Sequence, residues 1–305
     1  MSKKEMPTPN VALKDFFADN KVFADVFNTY MYGKEVLQPE DLQPLDTTYS
    51  ETVEEAQGMQ VLGRYRDINR KANLGTQYVV LGIENQDKVH YAMPLRVMLY
   101  DVLGYTAECK SLGVTHDAKK WTTDEFLSKL QKGTTITPIV TLVFYTGEKA
   151  WDGPRSLYDM FEIPEELKPF VPDYPIHVID VAHDNIKFQT KMLQELTCAL
   201  QAIYNKTIRN SKEKISNSVL SLAGILSGMK GLYVMREEGE TVMCEAVREM
   251  LEEATQEAVQ EAVQGEREKM IMNCLKKGHT CEAISDFNDI PIEEVKAVEE
   301  KFRAM

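Results

Sequence analysis

Residues 77–86 read QYVVLGIENQ, and the way this stretch ends decides how the rest of the chain is read. Val79 to Ile83 is an unbroken run of apolar residues and glycine, the pattern of a strand covered on both faces. Side chains two apart on a strand point to one side, so Val80, Gly82, Glu84 and Gln86 share a face. The strand therefore carries a carboxylate and an amide at its tip. The preceding segment, MQVLGRYRDINRKA (59–72), alternates well enough to be a second strand, and the turn ANLGT joins the two as an antiparallel pair. On that strand Val61, Gly63, Tyr65 and Asp67 share a face, so the pairing brings Asp67 and Glu84 together near one end of the sheet.

Working outward, residues 91–112 predict a helix with Leu95, Met98, Leu99, Val102 and Leu103 on its buried side. Upstream, Phe16, Phe23, Val26, Phe27 and Tyr30 recur at helical spacing over 11–32, and LQPEDLQPLDTTYS reads as a loop. Downstream, TTDEFLSKL opens on a Thr-x-x-Glu capping box and makes a short helix. TPIVTLVFYTG (137–147) and YPIHVIDVAH (174–183) read as buried strands, followed by helices over roughly 185–208 and 212–230. This order predicts an α/β fold with a mixed sheet flanked by helices. The stretch 237–264, with QEAVQEAVQ repeating every four residues, is a solvated helix or linker, and the last forty residues read as three short helices. The expected organisation is a domain over 1–232, an acidic helical linker over 233–264 and a small helical unit over 265–305.

The chain has 305 residues, 43% of them apolar, enough for a sizeable core. No apolar run is long enough to span a membrane. MSKKEMPTPNVALKDFF lacks an apolar signal core, and five cysteines are scattered without a CxxC pair, so a cytoplasmic location is expected. The net charge is −13, but residues 236–305 hold 18 acidic against 9 basic side chains and so carry −9 of it. The remaining −4 is spread over residues 1–235, which leaves room there for basic clusters that meet phosphates.

Two carboxylates with an adjacent backbone carbonyl form an oxygen-rich site suited to Mg²⁺, with Mn²⁺ able to substitute. Such an ion polarises a phosphodiester and acidifies a water, which Gln86 would orient. Plainer readings stand beside this one. Glu84 is also what a solvated strand end looks like, and Asp67 is in reach of Arg64 and Arg66 for an ion pair. Arg96 suits a phosphate contact, or a structural pairing with Asp101 or Glu84. RYRDINRK is either the lining of a DNA channel or an edge strand guarded by charge. Cys274, His279 and Cys281 lack a fourth zinc ligand, His183-Asp184 reads as a strand end and helix cap, and no glycine-rich phosphate loop is present. The final helices carry Glu293, Glu294, Glu299 and Glu300, which oppose phosphate binding.

Asp67, a turn, then Glu84-x-Gln86 followed by a helix resembles the core of PD-(D/E)xK (restriction-endonuclease-like) nucleases. FADVFNTYMYG, RYRDI, LGIENQ with MPLRVMLYD, and TPIVTLVFYTGEKAWDGPRSLYDMF together resemble the Rpn family of recombination-promoting nucleases, also described as YhgA-like putative transposases, over about residues 12–230. The resemblance implies a metal-dependent DNA endonuclease linked to recombination or mobile elements. In it Asp67 and Glu84 match the metal-binding acids, and Gln86 stands where the parent motif has lysine. Arg64, Arg66 and Arg96 are the expected DNA contacts, Lys88 is a stand-in for the missing lysine, and Asp25 is an auxiliary acid. The alternative is a catalytically inactive nuclease fold acting as a binding or regulatory module. Self-association through the C-terminal helices is also expected.

Overall fold

The computed structural model describes residues 6–45, 48–55, 58–65, 67–74, 77–115, 121–233 and 239–303. In chain order the elements are α1 (Pro9–Phe16), α2 (Asn20–Phe27), β1 (Leu42–Pro44), β2 (Thr48–Glu55), β3 (Gly58–Tyr65), β4 (Ile68–Leu74), β5 (Gln77–Gln86), α3 (Met93–Thr115), α4 (Thr123–Ser128), β6 (Ile139–Tyr145), β7 (His177–Asp180), α5 (Lys191–Tyr204), β8 (Lys214–Ser216), α6 (Asn217–Ser227), β9 (Glu240–Val242), α7 (Met243–Lys276), α8 (Cys281–Asn288) and α9 (Ile292–Arg303). The fold is α/β, as expected: a five-stranded sheet in the order β1-β4-β5-β6-β7, with helices packed against it. β4 and β5 are antiparallel, whereas β5, β6 and β7 run parallel, so the sheet is mixed. The connection from β5 to β6 runs through α3, the crossover that a parallel pair requires.

The apolar strands are covered on both faces, which is why their sequences read as continuous hydrophobic runs. One face carries Val143, Tyr145 and Val178, which bury against Met93 and Val97 of α3 and against Trp151 and Ile176. On the other face Phe144 meets Phe17 edge-on, ring centroids 5.0 Å apart. The motif FYTG…W closes the carboxyl ends of three strands. Tyr145 folds back to donate to the Lys149 carbonyl at 2.7 Å and packs against Trp151. A Cβ at position 147 would lie 2.2 Å from the Tyr145 hydroxyl, so only glycine fits that turn. The Thr146 N–H donates to the Gln86 carbonyl, and the Trp151 N–H to Asp180, tying β5, β6 and β7 together beyond their ladders.

Two sequence expectations are corrected. The single helix over 11–32 is α1, α2 and a wider π-helical turn over Asn28–Tyr32. Asp19 accepts from the Lys21 N–H and so starts a new helix after α1 ends, and Gly33 stops the π turn at φ 61°. The strand over 59–72 is likewise two strands. β3 pairs with β2 in a hairpin of its own, and β4 pairs with β5 from Ile68 onward. Asp67 therefore lies at the junction between two strands, not on the alternating face that Val61 begins.

The Thr122–Glu125 capping box is formed, with both of its reciprocal bonds. The chain divides into a unit over Met1–Cys244 and a second over Glu245–Met305. The second unit holds most of the long α7 together with α8 and α9, around a core of Ile271, Cys281, Ile284, Ile290, Val295 and Val298. Among the described residues no helix is long and apolar enough to cross a membrane.

Candidate functional site

Glu84 sits two residues from the end of β5, the central strand, where Val143 of β6 is its neighbour in register. Continuing the β4–β5 register by one residue places Asp67 opposite Glu84. Glu84 is 0% exposed. The first turn of α3, which follows the short polar segment after β5, brings Arg96 to it, and the guanidinium approaches Glu84 Oε2 to 3.3 Å. The solvated-strand-end reading of Glu84 is thereby excluded, and Arg96 pairs with Glu84. Asp101, the other acid proposed for Arg96, instead accepts from Thr141 Oγ1 at 2.8 Å and from the Tyr174 hydroxyl at 2.5 Å.

Asp67 is oriented by the strand end itself. Its Oδ2 accepts from the Asn85 N–H at 2.9 Å, and Lys14 Nζ of α1 stands 4.0 Å from its Oδ1. Both carboxylates act on the same cation. Burial works to lower the pKa of Arg96, but the fields of Glu84, then Tyr100, then Asp67 raise it above its ordinary value. Tyr100 lies beneath the guanidinium, 5.6 Å from ring centroid to Cζ. Burial, and next the charge of Glu84, push its hydroxyl pKa up. Asp67, Glu84, Arg96 and Tyr100 thus form one electrostatic cluster at the end of the sheet.

Gln86 ends β5 half-buried, its carbonyl held by Thr146. It lines a cavity of about 180 Å³ together with Asn10, Asn85, Asp87 and Thr146. Lys88, the stand-in for a lysine, is exposed just beyond the strand. Arg64 contributes its backbone to β3, while its side chain and the whole of Arg66 lie outside the described residues. Asp25 is far from an auxiliary role. Its oxygens accept from Thr29 Oγ1, the Gln189 and Thr190 N–H groups and Thr190 Oγ1, which makes it the cap of α5. Asp180 and His183 bond to each other across a turn, as a strand end would. A larger cavity of about 620 Å³ is lined by α2 and residues 33–40, and it holds Asp25 but none of the residues matched to catalysis or DNA contact.

Asp67 and Glu84 themselves offer only carboxylate oxygens, the chemistry a hard divalent cation takes. Among the described residues no group of three or more His, Cys, Asp or Glu gathers to hold a metal. Two carboxylates still fit Mg²⁺, which keeps several waters and is commonly held by one or two carboxylates plus substrate phosphate. Next along β5, the Asn85 side chain turns to Asn10 of α1, to which its amide donates at 3.3 Å, and its Oδ1 has no donor among the described residues. Lys14, Asn10 and Asn85 were not foreseen from the sequence. The contacts that matter at Lys14 and Asn10 span 53 and 75 residues, and no local pattern marks them.

No curated protein and no solved structure matches this chain. A family model described as "Putative transposase, YhgA-like" matches residues 10–230, from α1 through the end of α6, and so takes in both carboxylates and the helix that carries Arg96. The chain belongs to the family of YhgA-like putative transposases.

Proposed function

We propose that this protein is a metal-dependent endonuclease of the PD-(D/E)xK type that hydrolyses phosphodiester bonds in DNA and acts on mobile elements. The observation that carries the reading is Glu84, a carboxylate with no solvent exposure at the tip of the central strand, with Asp67 opposite and Arg96 against it. Burying an ion pair rarely improves on apolar packing of the same volume, so such a pair is more readily explained by chemistry than by stability. Membership of a transposase-like family supports DNA as the substrate.

Asp67 and Glu84 are the residues that would hold Mg²⁺ or Mn²⁺. When bound, the ion supplies Lewis-acid polarisation of the phosphate and a lowered pKa for the attacking water. The Asn85 amide fixes the direction of the Asp67 carboxylate. Gln86, at the adjoining cavity, orients water through a neutral amide, which positions a proton but does not carry it. Arg96 presents a planar donor pair suited to a phosphate oxygen. The test is plasmid nicking in Mg²⁺. Wild type is expected to nick and Asp67→Ala to be inactive, and equal activity in the two removes the assignment.

A second reading is favoured by one observation: Arg96 already meets the charge of Glu84, and no lysine stands at position 86. On that reading the fold binds DNA without cutting it. Wild type would then retard DNA in a gel yet leave plasmid intact at every Mg²⁺ and Mn²⁺ concentration.

A further inference from the structure

We infer that Arg96 is the resting counter-ion of Glu84 and competes with a divalent cation for its carboxylate. The inference rests on the metal-site reading of Asp67 and Glu84, and adds which group of the chain holds Glu84 when no cation does. A carboxylate with no exposure needs a compensating charge, and Arg96 supplies it at 3.3 Å. A guanidinium stays protonated across the working pH range, so the pairing persists wherever Glu84 is ionised.

Arg96 and a cation cannot both own Glu84 at full strength. Mg²⁺ requires its oxygens at about 2.0–2.1 Å in near-octahedral geometry, and its double positive charge repels an adjacent guanidinium. Binding a cation therefore obliges Arg96 to loosen its hold. Arg96 is built to yield. Its side chain is 33% exposed, and its Nε has no hydrogen-bond partner among the described residues. Its guanidinium lies over Tyr100 at the same time, a contact that does not depend on the Glu84 charge. A released guanidinium next to the two acids faces the position a scissile phosphate would take. The same residue thus neutralises the empty site and then becomes available to the substrate.

Calorimetric titration of the full chain with Mn²⁺ alone, and separately with Mg²⁺ alone, tests this. Removing a competitor tightens binding, whereas removing a merely structural arginine leaves it unchanged or weaker. Arg96→Met is expected to bind Mn²⁺ roughly tenfold more tightly than wild type, within the usual range of site coupling, and Glu84→Gln/Arg96→Met is expected to lose that gain. Unchanged or weaker binding by a folded Arg96→Met overturns the inference while leaving the metal site standing. Binding by neither protein overturns the metal-site reading and the inference with it. Should Arg96→Met fail to fold by circular dichroism, Arg96→Gln, which keeps polar contact with Glu84 without the charge, carries the same comparison.

Discussion

Asp25 and Glu84 are both carboxylates withdrawn from water, 4% and 0% exposed, and the chain holds them by different means. Asp25, on α2, accepts from two backbone N–H groups and two threonine hydroxyls. It caps α5 from 165 residues away, where the positive end of the helix dipole adds to the bonds. Thr190, the residue at that cap position, makes no side-chain cap of its own. Glu84 instead meets a charged partner, the guanidinium of Arg96, on a long and partly exposed side chain. Four donors hold the Asp25 carboxylate, and the two backbone N–H groups among them cannot leave without disturbing the start of α5. An arginine side chain is the kind of partner that the proposed cation would displace. The first arrangement serves the fold, and the second is the one proposed to exchange its charge partner.

This contrast sets an order of expected effects. The largest is Glu84→Gln, which keeps the shape and removes the charge. Mg²⁺-dependent plasmid nicking should fall on the order of 10⁴-fold, the scale of losing a catalytic group. Next, Asp25→Ala leaves the N–H groups of Gln189 and Thr190 without their acceptor. It should cost about 2–4 kcal/mol in urea denaturation, with an unchanged m-value. Residual activity of the folded fraction should stay at the wild-type level. Gln86→Ala should slow nicking about tenfold to a hundredfold, the cost of a misplaced reactant, with no change in melting temperature. The smallest effect belongs to Thr122→Ala, which removes an exposed capping box and should cost no more than about 1 kcal/mol in thermal unfolding.

Much of the sheet was legible because its strands are extreme. IVTLVFY and VVLGI are so apolar that only a doubly covered strand accommodates them. The position of Glu84 at the tip of β5 followed from the same run, and its alternation put Gln86 beside it. The change of partner between the end of β3 at Tyr65 and the start of β4 at Ile68 was hidden, because the alternation from Met59 to Ala72 passes through it with no glycine or proline between the two. β2, the partner of β3, is TYSETVEE, which begins inside the segment LQPEDLQPLDTTYS read as a loop and carries little apolar content to mark it as a strand. The division of the first helix did leave a signal, the Asp19-Asn20 start, which aromatic spacing across the break obscured. Asp25 as a cap and Lys14 beside Asp67 depend on contacts between distant parts of the chain, and no local pattern encodes those. Arg96 against Glu84 was one of two structural pairings open on sequence; choosing between them required knowing that Thr141 and Tyr174 already satisfy Asp101.

The most direct measurement compares Mg²⁺-dependent plasmid nicking by wild type, Glu84→Gln and Asp25→Asn, below all three melting temperatures and at matched folded fractions by circular dichroism. Expected is full activity for wild type, activity retained by Asp25→Asn despite its lower stability, and none for a well-folded Glu84→Gln. Nicking by Glu84→Gln at the wild-type rate would contradict a role for Glu84 in the chemistry and reduce the Glu84–Arg96 pair to a second structural contact.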